Sequence, residues 1–326
     1  MIRLAWRQFR VQAVAALAAL VVVAVVAAAT RPGLVDILAT ASATQPRIPG
    51  PYLLLRDAFI LIVVAAPVLI GVFWGAPLIA RELETGTFRL AWTQSVTRRR
   101  WLTRKFLVVG LSSILLAGLL SLIVTWWSNP MNGIDFMNAP SPNRFGLLLF
   151  SAGGIAPLGY GAFGFVLGVT AGLLFRRTLP AMAVSLAGFA AIRLAVTYWV
   201  RPYFMSPALT SLSLTDPAVD IEALGSPATG ITHVEVFAHI PNAWVYSAEM
   251  VDKAGSKLTS EAVQSIGTPG SPGALAEKLG MTYQALVTYQ PAGRFWAFQG
   301  IETAAFLGLA ILLAGLCFWW VRRRAA

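Results

Sequence analysis

Long apolar runs with short polar interruptions dominate the pattern of this chain. Val11–Thr30 is almost entirely Ala, Val and Leu, and similar runs follow at Ala58–Ala80, Phe106–Trp127, Phe145–Phe175, Pro180–Val200 and Phe295–Val321. Each reaches the roughly 18–20 residues that carry a helix across a bilayer. The pattern predicts an all-α polytopic membrane protein with six transmembrane helices. The run Phe145–Phe175 is too long for one straight span: about 46 Å of helix against a hydrocarbon core of about 30 Å. Gly153, Gly154 and Pro157 mark where it should break. Pro67 and Pro77 sit inside the second run and should kink it.

The polar stretches set the organisation. Arg31–Leu53 and Ser128–Arg144 read as loops rich in turn residues, and no strand alternation is seen in the first. Arg201–Arg294 is the one large polar segment. It carries a helix-like piece, Ser260–Ile266, and strand-like pieces, Ile231–Ile240 and Ala243–Ser247, so it predicts a small extracellular α+β domain between helices 5 and 6. The chain divides into 1–200 (an N-terminal interfacial helix, five spans and a loop at 81–105), 201–294 (the outer domain), and 295–326 (the sixth span and a basic tail). At the N-terminus Arg3, Arg7 and Arg10 share one helical face, and Ile2, Trp6 and Phe9 another. That suits a helix lying on an anionic leaflet; a positive flank orienting the first span, or a signal peptide, needs the same residues.

Composition sharpens this reading. Only 12% of residues are charged, 57% are hydrophobic and mean hydropathy is +0.70. The net charge of +11 could suggest nucleic acid, but its distribution points to a membrane. Three segments and the C-terminal tail on one side hold 15 of the 25 Lys and Arg, with only Glu82 and Glu84 among the acids. This bias predicts cytoplasmic termini and a cytoplasmic 81–105 loop. Trp126–Trp127 is expected at the opposite interface. Cys317, the single cysteine, lies in the last run and cannot form an internal disulfide. His233 and His239 form no convincing metal pattern, so no metal site and no catalytic residue is assigned.

Arg81–Lys105 is the stretch most suited to meet a partner. Gly86 should stop a short helix carrying Glu82 and Glu84, and Thr97 should cap the next one. The two acids either balance Arg81 or Arg89 locally or dock into a groove of a cytoplasmic ATPase. Inside the spans the ionisable residues are Arg193 and Glu302. Each lies eight residues from the outer end of its run, Arg193 before Arg201 and Glu302 after Arg294, so both sit about 12 Å deep. Equal depth predicts an ion pair between the fifth and sixth spans, serving packing or contacting a substrate; Glu302 could otherwise face wet interface. Gly164, Gly168 and Gly172 repeat every four residues and form a close-packing face, within one bundle or between subunits. GxxxxGK[ST], HExxH and GxSxG are absent, so any pumping must draw its energy from another chain.

At Arg81-Glu82-Leu83-Glu84-Thr85-Gly86-Thr87, then Trp92-Thr93-Gln94-Ser95-Val96-Thr97-Arg98 and Trp101 to Lys105, the chain resembles the ABC-2 type permeases, the membrane subunits of ABC exporters. The six-span plan and amphipathic N-terminus are similar too. Tyr289-Gln290-Pro291 with Arg294-Phe295-Trp296 resembles a bacterial subgroup with a large outer loop. The resemblance implies that Glu82, Glu84, Gly86, Thr87 and Arg89 couple to an ABC ATP-binding subunit, present in two copies. It further implies a second permease copy or paralogue, ATP and Mg held by the partner and no cofactor here, and a bacterial cell membrane location. Membrane lipid and no nucleic acid are the other expected surroundings. Drugs, antibiotics and lipid-like molecules are the implied cargo. A sensor or scaffold that displays the outer domain and recruits a cytoplasmic protein is the alternative from another class.

Overall fold

A computed structural model describes residues 2–40, 47–86, 97–131, 144–226, 230–258 and 272–323. Among them six helices are long and apolar enough to cross a membrane. They are span 1 (Arg10–Thr40), span 2 (Gly50–Glu84), span 3 (Arg100–Met131), span 4 (Ala156–Phe175), span 5 (Thr178–Tyr203) and span 6 (Ala292–Arg323). A six-residue half-helix, Leu147–Ala152, precedes span 4. Two compact units result: one comprises Met1–Pro142, Gly146–Phe204 and Trp296–Ala326, the other Asn143–Phe145 and Met205–Phe295.

Span 1 departs from the sequence expectation at both ends. One helix runs from Ile2 to Thr40 with Pro32 inside it. The N-terminal segment is therefore continuous with the span, and the expected loop is helical from Arg31 to Thr40. Nothing between Arg10 and Val11 breaks a helix, and Pro32 removes only one ladder bond, which helices in membranes tolerate. The helix of 39 residues is about 58 Å long, well beyond a bilayer core. Span 2 then begins at Gly50, with proline in its first turn.

Trp127 closes the end of span 3. Its ring is turned inward and fully buried against the protein, donating from Nε1 to Thr30 Oγ1 at 2.9 Å and meeting Phe59 edge-on at 5.1 Å. Its neighbour Trp126 is half exposed and lies beneath the Arg31 guanidinium at 4.4 Å. These contacts, with Val23, Ala27, Val63, Leu120 and Val124, build a core among spans 1, 2 and 3.

Span 4 is the axle. Its most apolar window is 78% buried, against 11% for span 1. Glycines let span 2 reach it. A Cβ at Gly168 would fall on the Gly71 carbonyl oxygen, and one at Gly172 would lie 2.7 Å from the Ala76 oxygen. The glycine face is thus covered by the chain's own span 2, which leaves no room on it for a second copy. The contacting part of span 2 is centred on a π turn, Ile70–Gly75, between the two prolines. Pro77 cannot give Phe73 O its helical N–H, and Gln12 Nε2 of span 1 donates to that oxygen at 3.2 Å.

The second unit is antiparallel β. Its strands are β1 (Ala208–Leu212), β2 (Val219–Ser226), β3 (Gly230–Ala238), β4 (Trp244–Asp252) and β5 (Tyr283–Gln290). They form a three-stranded sheet, β1-β5-β4, and a two-stranded sheet, β2-β3. The two strand-like pieces read from sequence fall on β3 and β4, whereas Ser260–Ile266 lies outside the described residues. The helix that is described, Pro272–Gly280, sends Leu279 into a core with Leu214, Val219, Met250, Ala285 and Val287. Gln290, fully buried, donates to Met205 O at 2.7 Å. Arg294 Nη1 donates to Ser206 O and to Gln290 Oε1. The Tyr-Gln-Pro…Arg stretch thereby ties the two chain ends of this unit together.

Candidate functional site

The break before span 4 is held open by side chains. Gly154 has φ +70°, a conformation that suits glycine. Backbone groups freed by a broken helix need partners in a dry setting, and two helices, spans 3 and 6, supply them. Gln299 of span 6 accepts from Ala156 N at 2.8 Å and donates to Phe150 O at 2.9 Å. Ser121 of span 3 donates to Gly154 O at 2.8 Å, and Thr125 Oγ1 accepts from Gly154 N at 3.2 Å.

One turn from Gln299 along span 6 stands Glu302, with no exposed surface. Arg193 Nη1 donates to its Oε1 at 2.6 Å, so the two residues of equal depth meet. They are not a simple pair. Arg201 adds a forked contact, Nε to Oε2 at 2.7 Å and Nη2 to Oε1 at 2.9 Å, and Tyr160 Oη donates to Oε1 at 2.6 Å. Thr197 Oγ1 accepts from Arg193 at 2.9 Å, and Ser151 Oγ accepts from Arg193 Nη2. The guanidinium of Arg193 lies over Tyr160 at 4.2 Å, and that of Arg201 over Phe150 at 4.0 Å. Sequence reasoning missed Arg201 because it ends an apolar run and counts there as a flanking charge. It is 1% exposed. A π turn, Val196–Val200, changes the helical phase between the two arginines and brings both to Glu302.

At the opposite ends of these helices is the acidic turn. Glu82 and Glu84 do not occupy a separate short helix; they are the last turn of span 2, which ends at Thr85 and Gly86, the latter at φ +72°. Glu82 pairs with Lys105 at 2.7 Å. Lys105 is buried, donates to Leu78 O at 2.9 Å and lies 4.5 Å from the Trp101 ring. Glu84 Oε2 accepts from Thr178 N at 3.1 Å and Thr178 Oγ1 at 2.7 Å. Span 5 has no side-chain cap from its own N-cap residue, Arg177, so Glu84 fills that role from across the bundle and meets the positive end of the helix. Thr97 caps the helix Arg98–Lys105, accepting from Arg100 N. Thr87 and Arg89 lie outside the described residues, as does Trp92–Val96.

Spans 1, 2 and 3 also enclose an apolar crevice of about 460 Å³, lined by residues including Ala16, Leu61, Phe73 and Leu116. Cys317 is buried with its Sγ 3.2 Å from Thr170 Oγ1. Among the described residues no group of three His, Cys, Asp or Glu could hold a metal ion.

Six membrane-length apolar helices around a broken central helix, with an Arg–Glu cluster among them and a polar turn at the far end, describe a multi-pass membrane protein. Residues 12–201, more than half of the chain, match the family described as ABC-2 membrane transporter related. The chain belongs to that family: it is a membrane permease of an ABC transporter, a kind of subunit that associates with an ABC ATP-binding subunit. The match includes the acidic turn, Arg193 and Arg201, and stops before the β unit and span 6. No curated protein and no solved structure matches the chain.

Proposed function

We propose that this permease serves an exporter that moves a hydrophobic or amphipathic molecule, drug-, antibiotic- or lipid-like, outward across a bacterial cell membrane. Two permease chains and two separately encoded ATP-binding subunits form the working unit, and ATP with Mg is held by those partners. The termini and the 81–105 segment face the cytoplasm, and the β unit faces outward, in keeping with the charge bias along the chain. Glu82, Glu84, Gly86, Thr87 and Arg89 couple the permease to the ATPase.

The observation that carries this reading is the double anchorage of the acidic turn. Glu82 holds span 3 through Lys105, and Glu84 holds span 5 through Thr178. A displacement of the loop between Glu84 and Thr97 reaches three helices at once. The acids therefore act chiefly by transmitting motion inside the permease, and the rest of the 81–105 segment meets the ATPase. The apolar crevice supports a hydrophobic cargo. The test is purification with the ATPase encoded beside it, followed by a screen for compounds that raise ATP hydrolysis. Glu82→Ala with Glu84→Ala should lower compound-stimulated hydrolysis in an assembled complex. Unchanged stimulation, or full activity of the permease without any ATPase, would contradict the proposal.

A further inference from the structure

The buried cluster is unbalanced. Two arginines, whose side chains are 12% and 1% exposed, face one glutamate with none. Arginine stays protonated under all ordinary conditions, so the group carries one surplus positive charge in a dry place. Buried charge without a counter-charge costs several kcal/mol. The Tyr160 and Phe150 rings offset part of this through their faces, but a ring face is not an acceptor. Arg201 uses Nε and Nη2 on Glu302 and Thr197; its Nη1 has no acceptor among the described residues. Orphaned buried donors of this kind are rare and call for a missing partner.

The surroundings indicate which partner. Arg193, at the edge of the cluster, keeps some exposure. Toward the outer end of span 5, five to ten residues beyond Arg193 and flanking Arg201, Tyr198, Trp199 and Tyr203 are exposed, at 61, 73 and 85%. Exposed Trp and Tyr at a span end mark headgroup depth. Oxyanions accept from two guanidinium N–H groups in a fork.

We propose that Arg193 and Arg201 form a binding site for one oxyanion, a phosphate or carboxylate group, which completes Arg201 and neutralises the cluster. The aromatic setting favours the phosphate of an anionic lipid headgroup as its source, with free phosphate as the other. The site does not depend on whether the chain works in an exporter, because the experiment reads stability, not transport.

The experiment compares the intact chain and Arg193→Gln in nanodiscs of phosphatidylcholine, with and without phosphatidylglycerol, and in phosphatidylcholine discs titrated with sodium phosphate. At +11 the whole chain prefers anionic lipid, so the readout is the difference between the two proteins. Phosphatidylglycerol should raise the unfolding midpoint of the intact chain by roughly 3 °C more than that of Arg193→Gln, whose Glu302–Arg201 pair is already neutral. A matching excess in the phosphate titration assigns the site to a free oxyanion; an excess with phosphatidylglycerol alone assigns it to the headgroup. Equal shifts in both proteins, or the same shift from sodium chloride at matched ionic strength, would overturn the proposal. As a measurement that needs no variant, the intact chain should retain one phosphatidylglycerol through delipidation when scored by native mass spectrometry. Retention of neither this lipid nor phosphate would equally overturn it.

Discussion

Glu302 and Glu84 are both glutamates that accept hydrogen bonds from a neighbouring helix, yet they sit in opposite physical regimes. Glu302 has no exposed surface and serves two arginines and a tyrosine. Glu84 is exposed and serves one residue, Thr178. In a dry interior the removal of one partner strands the rest, whereas at a surface water replaces it. Glu302 therefore fixes the packing of spans 4, 5 and 6. The link at Glu84 can be made and broken at small cost, as a moving part requires.

That contrast sets the order of expected effects. Glu302→Gln leaves two buried guanidinium groups without a counter-charge and should destabilise the bundle by about 3–5 kcal/mol, measured as thermal unfolding in detergent. Exchanging charges, Arg193→Glu with Glu302→Arg, should not rescue it, because Arg201 would then face a second cation; recovery of the midpoint would reduce the cluster to a simple pair. Gly168→Ala comes next. Its Cβ would strike the Gly71 carbonyl, and overpacking of this kind costs about 1–3 kcal/mol. The same assay checks it, and a neutral result would mean that span 2 can retreat from span 4. The smallest effect belongs to the exposed link. Thr178→Val should leave the unfolding midpoint nearly unchanged and lower compound-stimulated ATP hydrolysis in the assembled complex. Glu84→Gln, which still offers a carbonyl oxygen to Thr178, should retain more of that stimulation than Glu84→Ala. Equal loss in both would move the role of Glu84 from bracing span 5 to contact with the ATPase.

Much of this architecture is legible in the chain because charge is so scarce. Six apolar runs stand out where only 12% of residues are charged, and Arg193 and Glu302 can be matched by depth alone. The break at Gly153–Gly154 follows from length against bilayer thickness. Other features are hidden for identifiable reasons. Pro32 looks like a stop, yet span 1 continues through it. Trp127 looks like an interfacial anchor because sequence cannot distinguish a ring at the lipid surface from one turned inward onto Thr30. Arg201 ends a run, and its burial depends on a π turn that no local pattern announces. Tyr160, Ser151 and Gln299 carry no signal as partners, since their meaning arises only when spans 4 and 6 come together. Strand β1 escapes because Ala-Leu-Thr-Ser-Leu is short and alternates weakly in polarity, whereas β2 does carry an alternating signal in Val219-Asp220-Ile221-Glu222.

The most direct test of the central claim, that one acid serves two arginines, is a side-by-side unfolding measurement of Arg193→Gln and Glu302→Gln in the same detergent. The three-member cluster predicts a strongly unequal outcome. Arg193→Gln leaves a neutral Arg201–Glu302 pair and should unfold near the midpoint of the intact chain, while Glu302→Gln should fall far below it. Equal losses from the two substitutions, the signature of an isolated ion pair, would contradict the account.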